Sequence, residues 1–272
     1  SDLWIMSKLG RTIREYNRQL DRFHFNEAAK VIYDFTWNDF CDWYLEIAKI
    51  RFYSDDKTAK DITRSITVKC IRTILGLFHP YAPFITEELW SHFKEIDEPD
   101  LIVTPWPDYE DDWIHDPTEK DMIVLQDVIT AIRSVCSRMN VPPSKRLDLV
   151  VRCTNEQGVF IHSHEQLLRS LANIDSFSQG TVIEKPQRSA TAVVHGMELY
   201  IPLGGLVDLE QEKSQMNKRK EKIKSLLSGI ENKLANKNFI NRAPEEIVMK
   251  EREKKRDLTN ELLKVNSNLE ML

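Results

Sequence analysis

Apolar residues recur at helical spacing along most of this chain. In residues 2–22, Leu9, Ile13, Tyr16 and Leu20 share one stripe, and Arg11, Arg14, Arg18 and Arg22 fall largely on other faces. That pattern predicts an amphipathic helix. Asn26 suits an N-cap, so a second helix is expected from there to about Ile50. It is dense in rings (Tyr33, Phe35, Trp37, Phe40, Trp43, Tyr44, then Phe52 and Tyr53), most of which a core needs for their apolar area. After a loop at Ser54–Lys57, Ile62, Ile66, Cys70, Ile74 and Leu77 predict the buried stripe of a third helix, which stops at His79-Pro80. Pro83 opens a short fourth helix through Glu87, Glu88, Leu89 and Trp90. Four helices with short connections predict an antiparallel bundle.

The pattern changes twice more. From Glu95 to Pro117, prolines and acids replace it, which predicts an irregular connector held on the bundle by Trp106, Tyr109 and Trp113. A helix over 118–139 ends at Pro142-Pro143. Strands are expected at 147–153, 180–184, 190–195 and 197–201, with Gly196 turning the last pair and a helix at 164–171. From Leu206 the chain reads as a coiled coil folded on itself. Leu209, Met216, Ile223 and Ile230 recur at steps of seven, beside Leu226, Leu227 and Leu234. Leu258, Leu262, Val265, Leu269 and Leu272 alternate steps of four and three. The asparagines of 236–241 and then Pro244 make the connection between the two helices. The expected fold is mainly α: an antiparallel helical bundle with its connector over 1–117, a small α/β unit with a short sheet over 118–205, and an antiparallel two-helix coiled-coil arm over 206–272.

Composition adds an asymmetry. The chain has 272 residues and a net charge of −5, yet residues 208–272 carry 15 Lys+Arg against 12 Asp+Glu, while the remainder carries 23 against 31. The arm is the basic part of an acidic protein, which directs an anionic partner to one region. No stretch approaches the ~20 apolar residues of a membrane span. Ser1-Asp2-Leu3-Trp4 has none of the marks of a signal peptide and opens on a helical pattern, so the chain is expected to be cut from a longer, cytoplasmic protein. Cys41, Cys70, Cys136 and Cys153 form no C-x-x-C pair and are expected as reduced thiols.

The residues offer no catalytic constellation. Phosphate-loop, dinucleotide and serine-nucleophile motifs are absent, and only 8 glycines occur. His162-Ser163-His164 has a spacing some metal sites use, but only Glu165 accompanies it, so surface histidines beside a strand end are expected. Asp108, Glu110, Asp111 and Asp112 read as a solvated loop, and Met6-Ser7-Lys8 as a helical turn. Two features suit RNA. Phe40 to Glu46, followed by Lys49 and Arg51, combines rings with cations, the means by which unpaired bases are held. The arm carries Lys218, Arg219, Lys220, Lys222 and Lys224, and near its tip Lys233, Lys237, Arg242, Lys250 and Lys254, with Phe239 and Ile240 at the turn. Glutamates interleave this stripe, so charge alone does not separate a phosphate-binding face from a solvated one.

Four stretches carry a resemblance. They are Asp2-x-Trp4-Ile5-x-Ser7-Lys8-Leu9, Phe25-Asn26-x-Ala28-Ala29, Trp37-Asn38-x-Phe40-Cys41-Asp42-Trp43-Tyr44-Leu45-Glu46 and His79-Pro80-x-x-Pro83-Phe84-Ile85-Thr86-Glu87-Glu88-Leu89-Trp90. They resemble the anticodon-binding domain of class I aminoacyl-tRNA synthetases. Lys233-Leu234-Ala235-Asn236-x-x-Phe239-x-x-x-Ala243-Pro244-x-x-Ile247-Val248-x-x-Glu251, with the lead-in Pro202-Leu203-x-Gly205-Leu206-Val207-Asp208, is similar to the tRNA-binding arm of the valyl-tRNA synthetase family. The resemblance implies that the bundle holds the anticodon stem-loop, reached by the helix bearing Phe40–Glu46, and that the arm reaches the tRNA elbow. Together with the cations above, the expected anticodon contacts are Phe40, Leu45, Glu46, Lys49 and Arg51, and those of the arm Lys233, Lys237, Phe239, Arg242, Lys250 and Lys254. Leu45 matches a position that packs on an anticodon base, and Lys254 a basic position near the elbow. Gly229 departs from relatives that are basic there. The ATP-site signatures H-I-G-H and K-M-S-K-S are absent, so catalytic, metal and cofactor residues are not expected in this chain. ATP and magnesium would serve the catalytic domain it lacks. Expected partners are valine tRNA and the catalytic and editing domains of the same polypeptide, with no membrane and a monomeric state. A protein-interaction scaffold built on the hairpin, and the equivalent region of an isoleucyl enzyme, are the alternatives.

Overall fold

A computed structural model describes residues 1–204, 209–236 and 245–271. Its chain divides into two compact units, Ser1–Gln126 and Asp127–Leu272.

The first unit is an up-down-up arrangement of three helical rods. Helix α1 spans Asp2–Asp21. The second rod is continuous from Phe25 to Phe52 but changes pitch twice: α2 (Phe25–Asp34), a π-helical stretch (Phe35–Tyr44) and α3 (Leu45–Phe52). It starts one residue before the expected cap. His24 takes the N-cap position, with no side-chain bond, and Asn26 lies inside the helix. The π stretch has a packing reason. Phe35, Phe40 and Tyr44 are buried at steps of five and four. At 3.6 residues per turn a step of five swings a side chain off the shared face, and the wider i→i+5 pitch keeps it there. The Leu45 amide accordingly bonds back to the Phe40 carbonyl.

Helix α4 (Lys57–Phe78) is capped by the Asp56 carboxylate, which accepts from the Ala59 amide at 3.0 Å. Its buried face holds Thr63, Cys70, Ile74 and Leu77. Ile62, expected on that face, is exposed, and Thr63 takes its place, within hydrogen-bond reach of Arg51. The opposite ends of α1 fix its direction. Asp2 accepts from Arg51 and Tyr44, and the Tyr16 hydroxyl donates to the Leu77 carbonyl at 2.7 Å.

Helix α5 (Pro83–Trp90) starts on its proline, as expected. The connector beyond it contains two 3₁₀ turns, Leu101–Val103 and Asp111–Trp113, and lies on the bundle. Trp106 donates to Asn17 at 2.9 Å, and Lys69 sits 3.9 Å from the Trp113 ring centre. Gly76 permits the closest approach: a Cβ there would lie 2.7 Å from Pro107 Cγ. Gly76→Ala should therefore lift the connector and cost about 1–3 kcal/mol of stability, read from the denaturant midpoint.

In the second unit, α6 (Asp116–Arg138), which begins before the division, contributes buried Val128, Ile129, Ile132 and Val135. Four strands follow: β1 (Leu147–Arg152), β2 (Ile174–Gly180), β3 (Ser189–Val194) and β4 (Met197–Pro202), in the order β2-β1-β4-β3. β1 and β2 are parallel, and the other pairs are antiparallel. The parallel pair needs a crossover, supplied by α7 (Asn155–Ser163) and α8 (Glu165–Leu171). One expectation fails here: the strand expected over 180–184 lies earlier, at Ile174–Gly180. Helix α7, which apolar periodicity does not show, starts on the capping box Thr154-x-x-Gln157. The β3–β4 hairpin turns at His195-Gly196, both at positive φ (48° and 78°), as a two-residue hairpin turn demands.

The arm consists of α9 (Leu209–Ala235) and α10 (Glu245–Met271), each 27 residues and about 40 Å long. Met216, Ile223, Ile230, Val248 and Val265 are buried in the seam between them. Cross-helix ion pairs show the antiparallel direction: Arg219 with Glu261, Glu231 with Lys255, and Lys233 with Glu251. As the α9 position rises, the α10 partner falls. Leu226 is exposed, off the seam. The connection expected over 237–244, with Lys237, Phe239, Ile240, Arg242 and Pro244, and the lead-in at 205–208 lie outside the described residues.

Candidate nucleic-acid interface

The stretches that carry the resemblance are chiefly architecture. Trp4, Ile5, Ser7 and Leu9 are buried. Ser7 accepts from the His115 amide at 2.8 Å and donates to Glu119, and Lys8 pairs with Asp39 at 3.2 Å. Arg11 joins Glu119 at 2.7 Å and also Asp116. The second long stretch, His79 to Trp90, is a knot that binds the connector. His79 Nδ1 lies 2.9 Å from the Thr86 hydroxyl. The Glu87 carboxylate accepts from the Leu101 and Ile102 amides at 2.7 and 3.2 Å. Trp90 donates to the Pro99 carbonyl at 3.1 Å. Arg72 covers its ring at 4.4 Å, bonds the Phe93 carbonyl at 3.0 Å and pairs with Glu98. That pair holds the Glu98 carboxyl below the ordinary carboxylate range.

The sequence-predicted RNA residues separate into two kinds. Phe40 is 4% exposed and stacks on Tyr44, their ring centres 6.0 Å apart. This corrects its expected place at the RNA surface, because the π stretch turns it into the core. Arg51 is tied to Asp2 and is half-buried, so its charge is matched inside the bundle. Leu45 and Glu46 are partly exposed, and Lys49 is exposed and pairs with Glu46 at 2.6 Å. One turn or more upstream, Trp37 (56% exposed) and Tyr33 present rings to solvent, with Lys30 beside them on the same rod. Hydropathy alone does not separate these outward rings from inward Phe35 and Phe40, since the π pitch decides it.

On the arm, Lys233 and Lys250 are exposed and paired with Glu251 and Glu246, at 3.3 and 2.9 Å. Lys254, Lys218 and Lys222 are exposed. Exposed pairs of this kind are worth little and exchange readily for phosphate. Glu251 differs: one oxygen meets Lys233, while the other is buried with no partner among the described residues. A charge at a seam position favours one register over its alternatives at a cost in stability.

His162 and His164 lie at the α7–α8 junction rather than beside a strand. His162 meets Glu165 at 3.3 Å, and His164 accepts or donates within a local network with Phe160 and Ser163. All four cysteines are free thiols. Burial pushes Cys70 up to about 12 and raises the other three. A thiol reagent at pH 8 should therefore label half-buried Cys41 and Cys136 slowly and Cys70 not at all until denaturant is added, as read by peptide mass.

Two family models match the chain, one from α1 into β1 and one over the arm. Residues 2–151 match the anticodon-binding domain of tRNA ligase. The chain therefore belongs to the tRNA ligase anticodon-binding family. Residues 208–272 match the valyl tRNA synthetase tRNA binding arm, which places it with the C-terminal regions of the valyl enzymes. Valine--tRNA ligase of Halalkalibacterium halodurans is 34% identical over 100% of this chain. Those of Thermotoga maritima and Geobacillus stearothermophilus are 37% and 35% identical over 93% and 94% of it. The chain spans only 31%, 28% and 29% of the lengths of these three relatives.

Proposed function

We propose that this chain is the part of a valine–tRNA ligase that grips valine tRNA. The observation that carries the reading is the presence on one chain of two matches, to an anticodon-binding domain over 2–151 and to a tRNA-binding arm over 208–272. The body, 1–117, takes the anticodon stem-loop, the α/β unit, 118–205, links it onward, and the arm, 206–272, takes the elbow. The bound tRNA is thereby presented to the catalytic and editing portions of the same polypeptide, which use ATP and magnesium to attach valine. The protein works as a cytoplasmic monomer. Among the described residues no helix is long and apolar enough to cross a membrane.

Burial narrows the contact set. Leu45, Glu46 and Lys49 remain as anticodon contacts, Phe40 and Arg51 support them from within, and Lys233, Lys237, Phe239, Arg242, Lys250 and Lys254 serve the arm. Leu45→Ala should reduce discrimination between valine tRNA and the same tRNA with a changed anticodon by roughly tenfold, the scale of one base-stacking contact. Total affinity for valine tRNA should fall less. Filter binding with the two tRNAs measures both. Equal affinity of the unaltered chain for the two tRNAs would remove the bundle from anticodon reading.

A further inference from the structure

The second unit contains a cleft of about 590 Å³ between the end of α6, the start of β1 and the α8–β2 turn. Its floor is apolar, with Ile132, Leu147 and Ala172 all buried. Its wall is rigid. Asn140 and Asn173 both sit in the left-handed region, at φ 49° and 54°. The Asn173 side-chain amide donates to the Pro143 and Lys145 carbonyls at 3.1 and 2.7 Å, and the Asn173 backbone carbonyl accepts from the Leu147 amide at 2.9 Å. These bonds tie the Pro142–Lys145 rim to the α8–β2 turn before any ligand arrives, which lowers the ordering cost of binding.

The charge of the cleft runs against that of the protein. Arg133 and Lys145 line it, and no carboxylate does. Between Asp127 and Asp148 the sequence has Arg133, Arg138, Lys145 and Arg146 and no acid, in a chain of net charge −5. Arg133 donates through Nε and Nη2 to the Leu171 carbonyl, at 3.0 and 2.8 Å. Two bonds in its plane hold the guanidinium in one orientation at the cleft wall. A flat cation over an apolar floor is a platform on which an unpaired base stacks, and neighbouring cations hold its phosphates.

We propose that this cleft is a further RNA site, which takes one unpaired nucleotide of the tRNA. The base lies against Arg133 and the apolar floor, and the flanking phosphates meet Lys145 in the lining, with Arg138 and Arg146 close by in the chain; Arg146 exchanges its exposed 3.5 Å pair with Asp175 for phosphate. The site rests on the reading of the chain as a tRNA binder, but its probe does not. The labelled full chain is titrated with short oligouridine and followed by amide shifts. Shifts at Asn140, Val141 and Asn173 that weaken with added salt are expected. Arg138→Glu, Lys145→Glu and Arg146→Glu together should lower oligouridine affinity at least about tenfold at low salt. Arg133→Lys, which keeps the charge and loses the plane, should lower it severalfold. Unchanged resonances elsewhere show that each variant is folded, and Lys145→Gln provides a milder variant if the triple reversal fails. Shifts confined to the arm would overturn the site while leaving the proposed function intact. Equal shifts with oligoglutamate would overturn the nucleotide assignment. Failure of whole valine tRNA to bind, with oligouridine still shifting the cleft, would overturn the functional reading alone.

Discussion

Trp90→Ala is expected to destabilise the chain by about 3–5 kcal/mol, the range for emptying a buried aromatic site. Trp90 is 3% exposed and packs with Leu75 and Leu101, beside Ile71 and Phe93. It does more than fill space. Its indole N–H holds the Pro99 carbonyl, and its ring carries the Arg72 guanidinium, which in turn fixes the Phe93 carbonyl and Glu98. Removing the ring opens a cavity and leaves the Leu101 side chain, and with it the first 3₁₀ turn, without its packing surface. Denaturant unfolding of the full chain measures the effect. Trp90→Phe keeps most of the area, loses the one hydrogen bond, and should cost only about 1–2 kcal/mol. A loss under 1 kcal/mol for the alanine variant would show that the connector is held without the knot.

The second large effect concerns affinity. Reversing Lys237, Arg242 and Lys254 to Glu should weaken valine tRNA binding by about 10²–10³-fold at low salt. It should also lower the slope of log affinity against log salt by about 2–3, since each lost phosphate contact removes 0.7–0.9. Helical content should not change. Lys254 is exposed on α10, whose hold on α9 comes from the seam residues Met216, Ile223, Ile230, Val248 and Val265. The far-ultraviolet circular dichroism of the variant checks that half of the prediction. An unchanged slope would make these residues a solvated face, as the interleaved glutamates permit.

Much of the fold was legible because apolar periodicity reports burial directly. The α1 stripe of Leu9, Ile13 and Tyr16 is buried as its spacing implies, and Met216, Ile223 and Ile230 form the seam that their sevenfold step implies. Periodicity misleads where polar residues pack or apolar ones do not. Thr63 is buried, its hydroxyl 3.4 Å from the Arg51 guanidinium, and neighbouring Ile62 is left outside. In β2 only Ile174 is fully buried in the mostly polar run Ile174–Gly180, which pairs along its length with β1, while Val182 just beyond it is exposed. Backbone pairing with a parallel neighbour, invisible in side-chain hydropathy, places that strand. The π stretch is hidden for a related reason: its pitch follows from the simultaneous packing of Phe35, Phe40 and Tyr44. Thr154-x-x-Gln157 is a signal that local rules do read.

The site was less legible than the fold. Long, specific motifs pointed to a family, but their residues build the scaffold. Asp2 anchors Arg51 and Tyr44, Ser7 anchors His115 and Glu119, and Glu87 anchors the Leu101 turn. A motif dense in buried and multiply bonded residues marks what must be kept for the fold. Surfaces such as Trp37, Leu45 and Lys49, or the cleft at Asn140 and Asn173, combine ordinary residue types whose meaning depends on where three-dimensional packing leaves them.

On the proposed function, this chain binds tRNA specifically through both body and arm. Equilibrium binding of the isolated chain to valine tRNA and to a DNA duplex of equal phosphate content, measured across a range of salt, tests it most directly. Preference for the tRNA is expected at every salt concentration, with affinity falling steeply as salt rises. Equal affinity for tRNA and duplex, or tRNA binding that does not respond to salt, would contradict it.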